Sequence, residues 1–299
     1  MSNSKRRFFL RYISIIQKLR TMESSFDEIK KYLDKQSRDS GNFLSIEIRT
    51  FQRDIIDIRD IFNIDIKCNS QNKYYISDDG DVSYRSRMLE TFDQLDLLYK
   101  AKNHSKFIYY ETRVPSGSQN MHGILHGIHN CTLISFHHEK NWEDNITYRT
   151  VEPYALKESQ YRWYLIAKDR KDGKVKTFAL DRISELHPEK EKFIYPKELD
   201  MDRMFKHSFG IMTDSKEVKE IILSFDMDQR KYLGSLRIHD SQTVLLDTEE
   251  EYRISLKMLI TYDLKKEILS YGDLVEVISP KSLRKEIREI HRRADKMNT

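Results

Sequence analysis

Cysteine is scarce in this chain: Cys68 and Cys131 are the only two in 299 residues. They lie far apart and neither belongs to a metal-ligand spacing, which excludes a disulfide framework and points to free thiols in a reducing compartment. Glycine is scarce too, with nine residues. There is no P-loop, no glycine-rich dinucleotide fingerprint and no nucleophile elbow, and the carboxylates form no recognisable catalytic pair. The expectation is a protein that is not an enzyme and needs no cofactor or metal, although scattered carboxylates leave a nuclease open. No apolar run approaches the roughly 20 residues of a membrane helix. The N-terminal stretch MSNSKRRFFLRYISIIQ is basic and then apolar, as a secretory signal is. Arg11, Lys18 and Arg20 interrupt it and no small-residue cleavage site follows, so a cytoplasmic protein without a membrane partner is expected.

Charge of one sign is nearly balanced overall, with 52 basic and 48 acidic residues. Its distribution is uneven. Residues 1–77 hold 15 Lys/Arg against 10 Asp/Glu, and the remainder holds 37 against 38. The positive excess therefore sits in the first quarter, where a phosphate-binding surface would need it.

That first quarter reads as three helices and a hairpin. Phe8, Phe9, Tyr12, Ile15, Ile16 and Leu19 recur at helical spacing over residues 5–20. Ser25 with Glu28 forms a capping-box pattern ahead of Phe26, Ile29, Tyr32 and Leu33. A polar linker containing Gly41 follows. The third helix is expected from Ser45 to Phe62, with Ile48, Phe51, Ile55, Ile58 and Phe62 on one face. Its other side carries Glu47, Arg49, Thr50, Gln52, Arg53 and Arg59, side chains that can read base edges or reach phosphates. Recognition residues cluster near a helix N-terminus, which favours Glu47, Arg49, Thr50 and Arg53 over Arg59. Asp54 and Asp57 are expected to temper this charge or to pair with neighbouring arginines. Ile64–Lys67 and Lys73–Ile76 read as a wing around CNSQN, where Lys67, Asn69, Gln71, Asn72 and Lys73 face the sugar-phosphate backbone. A helical domain with a stabilising hairpin and no nucleic acid is the plain alternative. The segments SFDEIKKYL, IRTFQRDIIDIRDIFNIDI and YYI resemble the winged helix-turn-helix of DeoR-like bacterial regulators. In that family the Arg49-Thr50-x-x-Arg53-Asp54 arrangement lies on the recognition helix.

Residues 85–103 read as a linking helix with Met88, Leu89, Phe92, Leu95, Leu98 and Tyr99 on its apolar face. QNMHGILHGIHN also reads as helical and places His122, His126 and His129 on one side. With no acidic or cysteine ligand in the segment these are expected to be ordinary histidines, and the same holds for His137 and His138.

The pattern then turns to short strands rich in β-branched and aromatic residues, separated by turn signals such as KNWEDN and RKDGK. Five of them in about 60 residues imply a small Sm or SH3-like barrel. Arg149, Lys176 and Arg182 fall on separate strands, with Phe136, Tyr148 and Tyr164 near them. Cations with aromatic rings suit phosphates and stacked bases. Trp163 and Phe178 have a competing role as core anchors.

The stretch YRTVEPYALKESQYRWYLIAKDRKDGKVKTFALDRISEL resembles a WYL domain. It carries Trp163-Tyr164-Leu165, with Arg149, Val151 and Pro153 upstream and Phe178, Asp181, Arg182 and Ile183 downstream. The resemblance implies a sensor of an anionic, nucleotide-like or single-stranded nucleic-acid ligand. The implied contact set is Phe136, Tyr148, Arg149, Trp163, Tyr164, Lys176 and Arg182, with Tyr164 and Arg182 foremost. Phe136 stands where that family commonly has tyrosine, and Lys176 where arginine is usual, which removes a hydroxyl and a bidentate fork.

From Val218 the order strand, helix, strand, strand, helix, strand indicates a ferredoxin-like unit with a trailing helix that carries Arg284, Lys285, Arg288, Arg292 and Arg293. His239-x-x-Gln242, Leu269-Ser270-Tyr271-Gly272 and Glu276-Val277-x-x-Pro280 make this stretch similar to the WCX extension that follows WYL domains. The expected architecture is thus α+β and multidomain: a winged helix-turn-helix at 1–80, a helical linker at 81–130, a WYL barrel at 131–205 and a ferredoxin-like WCX domain at 215–299. The function it implies is a homodimeric, ligand-responsive regulator of a double-stranded DNA operator. The alternative is an accessory protein whose barrel binds single-stranded RNA or DNA as the working event.

Overall fold

The computed structural model describes residues 3–40, 43–77, 87–91, 94, 109, 116–140, 143–213 and 217–299. Gly41, Phe92, Leu95, Leu98, Tyr99 and most of the KNWEDN turn signal's leading half lie outside them. Residues 87–91 are helical. The chain is mixed α and β, helical at its N-terminus with sheets in the middle and at the C-terminus. It divides into two compact units, residues 1–112 and 113–299.

In the first unit, helix α1 spans Asn3–Thr21, α2 Phe26–Ser40 and α3 Ile48–Phe62, and strands β1 (Ser24–Ser25), β2 (Ile66–Cys68) and β3 (Lys73–Ile76) follow the order β1-β3-β2 in one antiparallel sheet. The capping box at the start of α2 is formed. The Ser25 amide donates to Glu28 Oε2 at 2.8 Å, and the Glu28 amide donates to Ser25 Oγ at 3.3 Å. Those hydrogen bonds to Ser25 hold the Glu28 carboxyl below its ordinary range. Helix α3 begins three residues later than its pattern implied, because Glu47 caps it in an extended conformation. It ends at Asn63, whose backbone is left-handed and whose N–H donates a hydrogen bond to the Arg59 carbonyl. Ile15, Ile16, Ile29, Leu33, Phe51, Ile58 and Ile64 fill the core with no solvent contact. Phe51 meets the Tyr74 ring edge-on at 4.8 Å, which ties α3 to the hairpin.

In the second unit, helix α4 (Met121–Asn130) precedes strands β4 (Thr132–Lys140), β5 (Glu143–Ser159), β6 (Arg162–Asp169), β7 (Val175–Ala179) and β8 (Ile183–Lys192). They form an antiparallel sheet in the order β7-β6-β5-β4-β8. The long strand β5 pairs with β4 along its first half and β6 along its second. Strand alternation turns Ile134, Phe136, Val151, Leu165, Ala167 and Phe178 inward. Helix α4 seals this core with Ile124, and Met121 and Ile128 pack beside it. Gly127 permits the approach, since a Cβ there would lie 2.8 Å from the Ile134 side chain and 3.2 Å from Pro153.

A short helix α5 (Met201–Phe205) leads to strands β9 (Val218–Phe225), β10 (Thr243–Asp247), β11 (Tyr252–Leu259) and β12 (Val275–Ser279), interleaved with helices α6 (Arg230–Ser235) and α7 (Tyr262–Ser270) and followed by α8 (Lys281–Asn298). The sheet order is β10-β11-β9-β12, all antiparallel. Thr261 caps α7 by accepting from the Leu264 amide, and Gly272 follows its end at φ +61°. The helices bury Leu233, Leu264, Ile268, Leu283 and Ile287 against Ile221, Leu223, Ile254 and Leu256.

Candidate functional site

In the first unit, α3 sorts its residues by face. Arg49, Gln52 and Arg53 are exposed, spaced at three and four residues, and make no hydrogen bond or ion pair among the described residues. They form one open row of two guanidiniums and an amide. Thr50 is half-buried. Glu47 is exposed, but its carboxylate is taken by Lys30 of α2 at 2.7 Å. Arg59 pairs with Asp65 at 2.6 Å and stands apart from the row. On the hairpin, Lys67 is half-buried and lies 4.0 Å from Asp65. Asn69 is occupied in building the turn. Its Oδ1 accepts from the Gln71 and Lys73 amides, both at 3.0 Å, and its Nδ2 donates to Glu23. Lys73 is half-buried, and Gln71 and Asn72 are exposed.

Asp54 takes the second of its two expected roles and pairs with an arginine, but one 43 residues away and inside the core rather than a neighbour on the open face. It points into the core, where Arg11 of α1 grips it with Nε at 2.6 Å from Oδ2 and Nη2 at 2.6 Å from Oδ1. Both side chains are nearly sealed from water, at 4% and 3% exposure. Burial pushes the Asp54 carboxyl above its ordinary range, and the Arg11 fork opposes that push. Asp57 accepts from the Tyr12 hydroxyl at 2.6 Å, so both aspartates brace α3 against α1. The signal was present in the spacing: Asp54 lies three residues after Phe51 and four before Ile58, on the buried stripe.

In the second unit, the predicted ligand contacts separate onto two sides of the sheet. Phe136 is fully buried beneath Phe178, with ring centroids 5.4 Å apart, and belongs to the core. Trp163 packs against that same core. Arg149 and Lys176 do come together on the inner side, around a residue that the sequence reading passed over. Asp169, with a side chain 1% exposed, accepts from Arg149 Nη1 at 3.0 Å and from Lys176 Nζ at 2.7 Å. Lys176 also reaches Asp172 at 2.6 Å, and the Lys171 amide donates to Asp169. Burial would raise the Asp169 carboxyl, but the Lys176 and Lys171 hydrogen bonds and the Arg149 charge hold it below its ordinary value. Two cations and two carboxylates cancel, so this cluster is neutral before any anion arrives.

Tyr164 lies on the opposite side of β6, where burial raises its hydroxyl and the charges of Arg162, Asp181 and Arg182 act on it. Arg162 pairs with Asp181 at 3.4 Å. The other oxygen of Asp181, Oδ1, is buried without a hydrogen-bond partner among the described residues. Tyr148 is exposed and meets His137 edge-on at 5.3 Å. His122, His126 and His129 are exposed on α4. Among the described residues no helix is long and apolar enough to cross a membrane.

These two bodies of the second unit define the class of the chain. Residues 119–188 match the family model of the WYL domain, and residues 217–294 match that of the WCX domain, so the chain carries both. Among curated proteins, a 68-residue stretch is 35% identical to Protein PafB of Mycobacterium bovis (strain ATCC BAA-935 / AF2122/97) and of Mycobacterium tuberculosis (strains CDC 1551 / Oshkosh and ATCC 25618 / H37Rv). That stretch is 22% of this chain and 20% of the relative, so the match spans about one fifth of those relatives' length. Among solved structures, proteasome accessory factor B/C (PafBC) of Arthrobacter aurescens is 18% identical with a TM-score of 0.37, over 94% of this chain and 46% of that one. A CRISPR Cas-related protein is 13% identical with a TM-score of 0.38, over 98% and 85%.

Proposed function

We propose that the protein is a DNA-binding transcriptional regulator, with a winged helix-turn-helix in residues 1–80 that reads the major groove through α3. The observation that carries this is the unpaired row Arg49, Gln52 and Arg53 on a helix whose opposite face is locked to α1 and the hairpin. Arginine can fork onto guanine and glutamine onto adenine, and a rigid helix presents them without further ordering. Glu47, Thr50, Lys67 and Lys73 take supporting places, with Lys67 and Lys73 directed to phosphate. The WYL and WCX domains accord with a regulator in the cytoplasm rather than an enzyme. The sheet order β10-β11-β9-β12 with its interleaved helices supports a ferredoxin-like WCX domain. The five-stranded sheet with its long shared strand supports an Sm or SH3-like WYL barrel, and the packing of α4 on that sheet favours starting the domain at residue 119, where the WYL match begins, rather than at residue 131.

Two copies would bind an inverted repeat, since a two-fold protein matches a two-fold operator. An anionic, nucleotide-like or single-stranded nucleic-acid effector would act at Tyr164 and Arg182, with Arg162 joining them if the effector displaces its partner Asp181. Arg149 and Lys176 contribute only if the effector displaces Asp169.

The test is a mobility-shift titration of the full chain on footprinted genomic fragments. Arg49→Ala with Arg53→Ala removes two contacts of about 1–3 kcal/mol each, a weakening of roughly thirtyfold or more at fixed salt. Unchanged duplex binding overturns the reading of α3.

A further inference from the structure

A cleft of about 720 Å³ opens between the outer face of β5 and β6, the chain that runs through α5, and the loop before β10. It joins residues of the WYL domain to residues of the WCX domain and lies apart from the Arg149–Asp169 cluster, which is on the other face of the sheet. Its size is that of small-molecule sites in general. The walls are mixed in a particular way. Ala155, Ile166, Met201 and Phe205 supply an apolar surface, and Lys157 lies over the Phe205 ring at 4.6 Å. The charged lining is balanced, with Lys157 and Lys206 against Asp202 and Asp240.

The polar lining is built rather than incidental. His207 directs Nδ1 at the Lys257 carbonyl at 3.1 Å, which assigns the proton to Nδ1 and leaves Nε2 as an acceptor in the neutral ring. The Leu259 amide donates to the His207 carbonyl at 2.7 Å and pins the segment to β11. His239 accepts from the Ser241 amide at 3.1 Å and faces Ser241 Oγ at 2.8 Å, so its orientation is fixed. Ser208, at the cleft wall, is 8% exposed, and its hydroxyl has no hydrogen-bond partner among the described residues. A buried hydroxyl left unpaired is costly, and a polar ligand atom that reached it would satisfy it.

We propose that this cleft is a ligand site for a free α-amino acid with an apolar side chain. The carboxylate is received by Lys206 and the Ser208 hydroxyl, the ammonium by Asp202 or Asp240, and the side chain by Met201 and Phe205. A polyanion is disfavoured, because two carboxylates offset the two lysines. Because its walls come from both domains, a ligand here couples the WYL sheet to the WCX sheet; Tyr164 shares this face of the sheet, across from Lys157, but is not among the lining residues.

Isothermal titration of the full chain tests this, with L-phenylalanine and L-leucine as probes. 3-Phenylpropanoate and phenethylamine serve as analogues lacking one charge each. The expected result is saturable binding of an amino acid, with both analogues about tenfold weaker or worse. Lys206→Ala and Ser208→Val each weaken it about tenfold while the unfolding midpoint stays in place. Arg182→Ala leaves it unchanged, which separates this site from the effector reading. No saturable binding of either amino acid overturns the proposal. So does 3-phenylpropanoate binding as tightly as L-phenylalanine, wild-type affinity in both cleft variants, or loss of amino-acid binding in Arg182→Ala.

Discussion

Replacing Asp54 by asparagine keeps the shape of the side chain and removes its charge. The Arg11 guanidinium, held by two 2.6 Å bonds and 4% exposed, then has no counter-charge and no water. Breaking a buried pair from one side costs about 3–5 kcal/mol, because the remaining ion stays desolvated. Against a typical domain stability of about 5–15 kcal/mol, that is a large share. With a urea slope of about 1 kcal/mol/M for a domain this small, the midpoint should fall by about 3–5 M, or the N-terminal unit should not fold. Both tryptophans, Trp142 and Trp163, lie outside residues 1–112. Circular dichroism at the helical band should therefore report the loss while tryptophan fluorescence keeps its wild-type midpoint. Arg11→Met with Asp54→Leu removes both charges and should recover most of the stability, since apolar replacement of a whole buried pair is often neutral or stabilising. A single Asp54→Asn variant within about 1 kcal/mol of wild type would refute the argument, because it would show that the guanidinium reaches water or another partner.

Ser25→Ala should cost about 0.5–2 kcal/mol in the N-terminal unit, read as a lower midpoint by circular dichroism, because it removes the hydroxyl that receives the Glu28 amide. Gly127→Ala should destabilise the second unit by about 1–3 kcal/mol, read by Trp163 fluorescence, because the new Cβ meets Ile134 at 2.8 Å. The folded Asp169 carboxyl titrates below its ordinary 3.8, so the stability it confers is fully present above that value and is lost as pH falls through the lower folded one. Acid titration of Asp169→Asn should accordingly lose the part of the acid transition below about pH 4 and match the shape of the wild-type profile from about pH 5 upward.

Much of the order of elements was legible from residue spacing alone. The Ser25–Glu28 box, the apolar stripe of α3 through Phe51 and Ile58, and the strand–helix alternation from Val218 are local patterns, and local patterns survive folding because the helix and strand repeats are fixed by backbone geometry. The positions around Trp163-Tyr164-Leu165 likewise marked the WYL domain that residues 119–188 match. The open row on α3 follows from the same periodicity, as do the opposite sides of β6 taken by Leu165 and Tyr164.

What the chain order did not reveal was which charges meet. Arg11 and Asp54 are 43 residues apart, and Arg149 and Asp169 are 20 apart. Nothing in either neighbourhood names the other. Coulomb attraction and hydrogen-bond geometry act over a few ångströms in space, and only the packing of α1 on α3 and of β5 on β6 sets that distance. The same holds for the cleft at Ser208, whose walls come from segments 86 residues apart at their extremes, Ala155 and Ser241, and exist only once the two sheets are folded beside each other. Sequence determined the elements and their faces. Tertiary structure decided that two of the cations expected to wait for a ligand were already neutralised, and that a buried, unpaired hydroxyl lies in the wall of a cleft no motif announced.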